Sequence, residues 1–284
     1  MQRVWLSGFG DEIDARLETQ MEHMAGLGIR AVELRGVDGK NIADLTLEEA
    51  KDVRARMREL GFRASALGSP IGKSDIKGDF QPVLDSFRHV VDLARAIEAP
   101  AIRMFSFFVP QDNPDAWRGE VLDRLATLKS AAKGSGVRLL HENERMIYGD
   151  DAARCADLAQ ALCDGDFGLI FDPSNYVQCG VDPWAAWQAL KPYVAYLHIK
   201  DSVRLAAGAD EHSDNPHRVA GDGEARIRDI LEDLKRIGFT GYLSVEPHLK
   251  SSAHVPGTAP EKWAAAAIAL ENLLDECGIA WREE

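Results

Sequence analysis

The sequence predicts a single (β/α)8 TIM barrel, and three observations lead to this fold class. Eight short apolar runs alternate along the chain with amphipathic, helix-like stretches. The length of 284 residues suits eight β-then-α units in one barrel better than an open sheet. The first apolar run is not followed by G-x-G-x-x-G, and G-x-x-x-x-G-K-[ST] is absent, so the common nucleotide-binding open sheets lose their main support.

The eight predicted strands are short, mostly apolar runs bounded by glycine, proline or charged residues. They span 4–9, 31–36, 63–70, 101–108, 137–144, 167–175, 194–203 and 241–249. Between them lie stretches with helical spacing of apolar residues, such as TLEEAKDVRARMREL and ARIRDILEDLKRI. Several of these stretches end in glycine just before the next strand, as in RELGFRAS and KGSGVRLL, which is typical of a helix stop.

The pattern shows no domain boundary, so residues 1–284 are expected to form one domain. One stretch is irregular: 203–223, rich in glycine, aspartate, asparagine and proline, between the seventh strand and the next helix. We expect it to be a long loop on the face of the barrel where the strands end, because barrel enzymes carry their sites there.

Bulk composition limits the classes of function. The net charge of −13 argues against a surface that coats nucleic acid. Four cysteines without C-x-x-C spacing indicate reduced thiols in a cytoplasmic protein, not a zinc knuckle or a disulfide framework. The N-terminus lacks the layout of a signal peptide, and no stretch approaches the ~20 apolar residues that cross a bilayer. We therefore expect no nucleic-acid or membrane partner, and a homo-oligomer stays an open alternative.

Charged or imidazole side chains stand at the ends of the last four predicted strands. The fifth strand ends near Glu142, the sixth near Asp172, the seventh near His198 and the eighth near Glu246. Because the carboxyl ends of barrel strands converge on one pocket, we expect these side chains to meet. Three carboxylates and one neutral imidazole suit Mn²⁺, Mg²⁺ or Co²⁺, with Zn²⁺ as an alternative. Without a cation, three such carboxylates could not all stay ionised.

Each of these residues also has a purely structural interpretation. Glu142 could be a solvated carboxylate at a strand end, and Asp172, which precedes a proline, could cap a helix or form a turn. His198 alone could be a hydrogen-bonded core histidine, whereas Glu246 has no evident helix to cap. We favour metal binding because the structural interpretation requires four coincidences at four successive strand ends.

The segments around these strand ends resemble a known family. HENERMIYGD, FDPSNYVQCG, LHIKD and LSVEPHL, with GSPIGK at 68–73 and the run 102–107, are similar to one branch of the xylose-isomerase-like TIM-barrel superfamily of sugar (phosphate) isomerases and epimerases. The resemblance covers nearly the whole chain and is specific to the superfamily, but not to one substrate. It implies a metal ion held by Glu142, Asp172, His198 and Glu246, and an acid/base pair formed by the two glutamates.

The resemblance implies an isomerase or epimerase of a small carbohydrate, acting by proton abstraction next to a carbonyl through an enediolate. One position departs from the family pattern. Many members have a histidine three residues after the strand-6 aspartate, and this chain has Asn175, whose neutral amide can orient a hydroxyl but cannot transfer a proton at neutral pH.

Three other functions were weighed against this one. A metal-dependent lyase or dehydratase acting on a keto-inositol or keto-glycoside would use the same ion and base, and it stays open. An AP-endonuclease-like DNA-repair nuclease is disfavoured, because the chain is acidic and the first four strands end without histidine. A non-catalytic sugar-binding protein is disfavoured because both glutamates are present.

Further side chains are candidates for substrate contact: Glu33, Lys73, Arg103, Asn175, Lys200 and His248. Arg103 lies inside an apolar strand, so it is expected to meet an anion, which could be Glu33, a strand-5 glutamate or a substrate group. We expect Glu33 to be a structural partner of such an arginine more readily than a sugar ligand. Lys73, Lys200 and His248 could each face the pocket or end in solvent.

Overall fold

The computed structural model describes residues 3–205 and 215–281 of the chain. Eight parallel strands form one nearly closed barrel with helices between them, which confirms the predicted fold class. Part of the loop predicted at 203–223, residues 206–214, lies outside the described residues. The described flanks of that loop pair in a two-residue antiparallel ladder, Asp201–Ser202 with His217–Arg218, which the sequence did not predict.

The strands of the barrel follow the order predicted from the apolar runs. They are β1 (Trp5–Gly8), β2 (Ala31–Leu34), β3 (Arg63–Leu67), β4 (Ala101–Met104), β5 (Arg138–Glu142), β6 (Phe167–Phe171), β7 (Val194–Ile199) and β8 (Tyr242–Val245). Each strand pairs in parallel with its sequence neighbour from β2 to β8, and β8 pairs with β1. All carboxyl-terminal strand ends therefore lie at one rim.

Helices connect the strands outside the barrel. Within the described ranges they are α1 (Leu17–Gly26), α2 (Leu47–Glu59), α3 (Gln81–Ile97), α4 (Arg118–Ala132), α5 (Ala152–Leu162), α6 (Pro173–Gln178), α7 (Pro183–Leu190), α8 (Ile227–Ile237) and α9 (Ala259–Cys277). Two helices, α6 and α7, follow β6, where the eight-unit pattern predicts one. In the described parts of the chain, no helix combines the length and apolar character needed to cross a membrane.

The helix ends follow local sequence signals. Thr46 and Glu49 form a capping box at the start of α2, in which each side chain binds the other residue's backbone N–H. Helix α8 ends at Gly238, whose φ of 71° is the left-handed conformation that glycine adopts most easily. The chain then turns directly into β8.

The buried apolar residues form two clusters, one outside the strands and one inside the barrel. The larger one packs the helices against the outer faces of the strands. A smaller group fills the barrel interior and consists of Ala66, Ala101, Leu140, Ile170 and Tyr196. Because strand side chains alternate, Leu140 shares a face with Glu142, and Tyr196 shares a face with His198. Glu142 of β5 and His198 of β7 thus lie inside the barrel, next to this group and nearer the carboxyl-terminal rim.

Candidate metal centre

The four residues at the ends of the last four strands come together at the rim. Glu142 is the last residue of β5, Asp172 directly follows β6, His198 lies in β7, and Glu246 directly follows β8. One oxygen or nitrogen atom of each residue lies within 4.8 Å of the corresponding atoms of the others. All four side chains are buried, and the most exposed residue, Glu246, is 3% exposed.

His198 stands at the middle of this group. Its Nδ1 atom lies 3.1 Å from Oε1 of Glu142 and 3.1 Å from Oε2 of Glu246. Its Nε2 atom lies 3.2 Å from both carboxylate oxygens of Glu33. Burial lowers the pKa of the ring, but the charges of these three carboxylates, Glu142 first, outweigh it and raise the pKa well above the usual value. The ring is thus surrounded by negative charge on both sides.

The three carboxylates each keep one oxygen that accepts no hydrogen bond. These buried atoms are Glu142 Oε2, Asp172 Oδ2 and Glu246 Oε2. Each has a cationic side chain within 3.2 Å, but not in hydrogen-bonding geometry. A buried polar atom without a hydrogen bond costs about 1–3 kcal/mol, so three of them on neighbouring side chains require an explanation. The donor set, three carboxylate oxygens and one imidazole nitrogen, fits a divalent cation.

Asp172 combines the two roles that the sequence left as alternatives. Its Oδ1 atom accepts a hydrogen bond from the backbone N–H of Asn175 at 3.0 Å and so caps helix α6. Its Oδ2 atom is the one without a hydrogen bond. Capping therefore fixes the carboxylate while leaving one oxygen for a ligand.

Arg103 reaches the group from β4. Its guanidinium lies 3.2 Å from Glu142, one of the anions considered for it, and between the rings of Phe9 and Phe105 at 5.1 and 5.0 Å. Burial raises the pKa of Glu142, but the charges of His198 and Arg103 outweigh it and bring the pKa to about 2. Glu142 is therefore ionised at neutral pH.

Lys200 is the second buried cation at the rim. Its ammonium lies 2.7 Å from Oδ2 of Asp172 and 3.5 Å from Oε2 of Glu246. Burial raises the pKa of Asp172 to about 6 despite the charge of Lys200. Burial also acts to raise the pKa of Glu246, but Lys200 and His198 hold it well below its usual value. The carboxylates at the centre thus differ in proton affinity.

Two charged residues of this region were missed in the sequence, Arg35 and Glu12. Arg35 follows β2 and donates a hydrogen bond to Oε1 of Glu246 at 3.0 Å, while both oxygens of Asp11 accept from the same guanidinium. Glu12 lies 3.4 Å from Arg35 and accepts a hydrogen bond from the backbone N–H of His248. Both residues follow early strands, so the rule applied to the last four strands would have found them.

A cavity of about 350 Å³ opens beside Glu246. Its lining consists of Glu12, Arg35, Asn215, Pro216, His217, His248, Lys250 and Ser251. His248 lies 3.3 Å from Glu246, and its ring is 5.2 Å from the ring of His217, which the sequence did not suggest. Burial, with smaller contributions from Lys200 and His248, lowers the pKa of His217 to about 3, so this ring is neutral at neutral pH. The polar lining suits a hydroxyl-rich ligand.

The candidate substrate-contact residues lie at different places. His248 lines the cavity, and Arg103 and Lys200 lie beside the carboxylates. Lys73 contacts Glu144 at 2.9 Å and lies 4.4 Å above the Phe105 ring.

The other two candidates lie behind the ligand-type residues. The Asn175 amide donates to Oε1 of Glu142 at 3.3 Å and to the carbonyl oxygen of Asn143 at 2.8 Å. Glu33 contacts His198 and Tyr196, and among the described residues it forms no ion pair with an arginine. The structure therefore places Asn175 against Glu142 and Glu33 against His198, away from the cavity lining.

Comparisons with solved structures show the same fold. The IolI protein with a bound zinc atom has a TM-score of 0.77 and 16% identity, over 96% of this chain and 99% of that one. An L-ribulose 3-epimerase has a TM-score of 0.71 and 17% identity, over 98% and 96%. The probable 3-DHS dehydratase AsbF from Bacillus anthracis has a TM-score of 0.74 and 14% identity, over 95% and 99%. At these identities the similarity shows the fold alone.

Sequence comparison gives the family. A search of curated proteins finds no match. The family model described as xylose isomerase-like TIM barrel matches residues 21–273, which is most of the chain. The protein therefore belongs to the xylose isomerase-like TIM barrel family.

Proposed function

We propose that the protein is a divalent-metal-dependent isomerase or epimerase of a small carbohydrate, which abstracts a proton next to a carbonyl. One observation carries this proposal: three buried carboxylates, each with one oxygen that accepts no hydrogen bond, converge with an imidazole at the barrel rim. The structurally similar zinc-bound IolI protein and L-ribulose 3-epimerase support it.

The ion would be held by Glu142, Asp172, His198 and Glu246. Mn²⁺, Mg²⁺ or Co²⁺ suit this oxygen-rich set, and Zn²⁺ is the alternative. When bound, the ion supplies a Lewis acid that polarises the substrate carbonyl. It also compensates the negative charge that three carboxylates bring into one buried place.

Glu142 and Glu246 are the proposed acid/base pair. They approach the centre from β5 and β8, and the contacts of Arg103 with Glu142 and of Arg35 with Glu246 hold the two side chains in place. One carboxylate takes the proton from the carbon next to the carbonyl. In an epimerase the other enters the step as the protonated acid and gives its proton to the opposite face of that carbon, so the two exchange protonation states. In an isomerase a single carboxylate gives the proton it has just taken to the adjacent carbon.

A lyase or dehydratase is the second candidate, because proton donors stand next to one of the bases. The ammonium of Lys200 is 3.5 Å and the ring of His248 is 3.3 Å from Glu246. If Glu246 removes the proton, either neighbour could protonate a hydroxyl that leaves as water from the adjacent carbon. The structural similarity to the probable 3-DHS dehydratase AsbF supports this alternative.

Solvent exchange tests the proposal. The purified protein is analysed for metal, loaded with Mn²⁺ or Co²⁺, and incubated in heavy water with a panel of ketoses and keto-inositols. We expect about one ion per chain and deuterium at the carbon next to the carbonyl of at least one substrate. Glu246→Gln should abolish exchange with that substrate. The nature of the product then separates isomerisation or epimerisation from loss of water.

The matched control is Glu144→Gln, which changes a partly exposed carboxylate paired with Lys73. This variant should keep the ion and the exchange. Metal-loaded protein that exchanges no substrate of the panel would contradict the proposed function.

A further inference from the structure

We propose that Glu33 is a positioning residue for His198: its carboxylate accepts the Nε2 proton of the ring and thereby directs Nδ1 toward the three carboxylates. The inference rests on the metal centre of the proposed function, since it concerns the residue that would supply the nitrogen ligand. It assigns to Glu33 neither a substrate contact nor an arginine partner, the two roles considered from the sequence.

The contact between the two residues is short and fully enclosed. Both oxygens of Glu33 lie 3.2 Å from Nε2 of His198, and both side chains are 0% exposed. The rings of Phe9 and Tyr196 lie nearly perpendicular to the imidazole, with centroids 5.2 and 5.9 Å from it. The imidazole is therefore held from several sides, and within the described ranges Glu33 alone offers a hydrogen-bond acceptor to Nε2.

With a cation held by the three carboxylates, the His198 ring would be neutral, and its one ring proton would stay on the nitrogen that still faces an anionic acceptor. A neutral imidazole donates a hydrogen bond from one nitrogen and offers a lone pair at the other. If Nε2 donates to Glu33, the lone pair is at Nδ1, which faces Glu142 and Glu246 at 3.1 Å. This is the nitrogen that a cation between those carboxylates would bind. A carboxylate partner also makes a ligating imidazole more basic.

Glu33 is itself fixed by a chain of hydrogen bonds through the barrel interior. The Tyr196 hydroxyl donates to Oε2 of Glu33 at 2.9 Å. Tyr196 must then accept from Ser65, 2.9 Å away, and Ser65 in turn from Ser7 at 2.6 Å. Because a carboxylate accepts only, the direction of every bond in this chain is determined. No lysine or arginine among the described residues pairs with Glu33, so its charge acts on His198.

Cobalt binding tests the role of Glu33. Metal-free wild type and Glu33→Gln are titrated with Co²⁺, and the visible absorption of the bound ion reports both affinity and coordination. The amide keeps the shape of the side chain but removes its charge, so we expect binding 10–100-fold weaker, a range of about that size being usual for such partners. The absorption bands should also shift. Zn²⁺-loaded proteins give a second readout, since the downfield ring N–H proton resonance of His198 should move or disappear in Glu33→Gln.

The matched control is Asp233→Asn, which neutralises another buried carboxylate. Asp233 lies on α8, outside the barrel, and accepts hydrogen bonds from Trp187 and Lys191. Asp233→Asn should lower thermal stability and leave Co²⁺ affinity and spectrum unchanged. A general loss of stability is thereby separated from a specific effect on the metal.

The outcomes distinguish this inference from the proposed function. If the wild type binds no Co²⁺, the metal centre of the proposed function fails. If the wild type binds Co²⁺ and folded Glu33→Gln binds it equally well with the same spectrum, the positioning role fails. Should Glu33→Gln not fold, Tyr196→Phe decides: the loss of the donor to Glu33 should weaken Co²⁺ binding at least threefold, and unchanged binding overturns the inference.

Discussion

Two buried histidines, one on each side of the barrel wall, differ in their hydrogen-bond partners and in the direction of their pKa shifts. His198 and His141 are both 0% exposed. His198 faces the interior, where carboxylate oxygens lie 3.1–3.2 Å from both ring nitrogens and raise its pKa well above the usual value. His141 faces the helices, and neither of its nitrogens has a hydrogen-bond partner among the residues that the structure describes. Burial lowers its pKa to about 4, although the charge of Glu142 opposes the shift.

The difference teaches that burial of a polar group does not identify a site. His141 and Glu142 are consecutive residues of β5, and alternation along the strand sends one outward and the other into the interior. What distinguishes the interior is the convergence of opposite charges from several strands. No comparable set of charges surrounds His141 in the described part of the chain, and burial keeps this ring neutral at neutral pH.

The largest predicted effect is the difference between the two histidines when each is replaced by leucine. His198→Leu should lower divalent-ion affinity at least about 100-fold and abolish deuterium exchange, because the nitrogen ligand is lost. It should also destabilise the metal-free protein by about 3–5 kcal/mol, since Glu33 loses its buried partner. His141→Leu should keep both ion binding and exchange. Metal analysis, the exchange assay and denaturant unfolding measure these effects, and an equal loss of metal in both variants would refute the distinction.

The second-largest predicted effect is the pH dependence of stability that the buried His141 causes. His141 has a folded pKa of about 4, below its unfolded value near 6.5, so the unfolded chain binds more protons between these pH values. His141 thus lowers stability as the pH falls from 6.5 to 4, by about 3 kcal/mol in total at 1.36 kcal/mol for each pKa unit. In His141→Leu this part of the pH dependence should vanish from unfolding titrations. An unfolding titration in which His141→Leu keeps the wild-type slope between pH 6.5 and 4 would contradict this assignment.

The smallest predicted effect concerns Asn175. Its amide donates to Glu142 and to the Asn143 carbonyl, so Asn175→Ala should lower the unfolding free energy by about 1–2 kcal/mol. Asn113→Ala, at an exposed position, should change it by less than about 0.5 kcal/mol. Equal unfolding free energies for the two variants in denaturant titrations would show that the Asn175 contacts contribute nothing to the interior.

The fold could be predicted because its signals are local. Apolar runs of strand length, glycine at helix ends and the regular alternation of both lie within a few residues of each other along the chain. The second helix after β6 was missed because Pro173–Gln178 is short and lies within the polar segment that follows the strand. The paired ends of the 203–223 loop were missed because two-residue strands carry no periodicity.

Only the part of the site that lies at the strand ends could be predicted from the sequence. Glu142, Asp172, His198 and Glu246 were chosen because parallel strands bring their ends to one rim, and the structure brings their side chains together. The partners of these residues depend on contacts across the barrel. Arg35 and Glu246 are 211 positions apart in sequence, and nothing near Arg35 indicates that its guanidinium reaches β8.

Glu33 is the residue for which this limit mattered most. Its place between two apolar residues of β2 showed that its charge must be compensated, and an arginine was the expected partner. The partner is His198, 165 residues away. An acidic residue in the middle of a strand predicts that a polar or cationic partner is buried beside it. Which residue that is depends on how the sheet closes into a barrel.

The ring of His198 is supported from a strand that belongs to the opposite half of the polypeptide. Residues that face the ion position are encoded after position 140, whereas Glu33, Arg35 and Arg103, which hold them, are encoded before it. Neither half alone carries the proposed ligands together with the residues that hold them, so ion binding at the proposed site would require a closed barrel. A bound ion would then, by mass action, favour the closed barrel over every partly opened form of the chain.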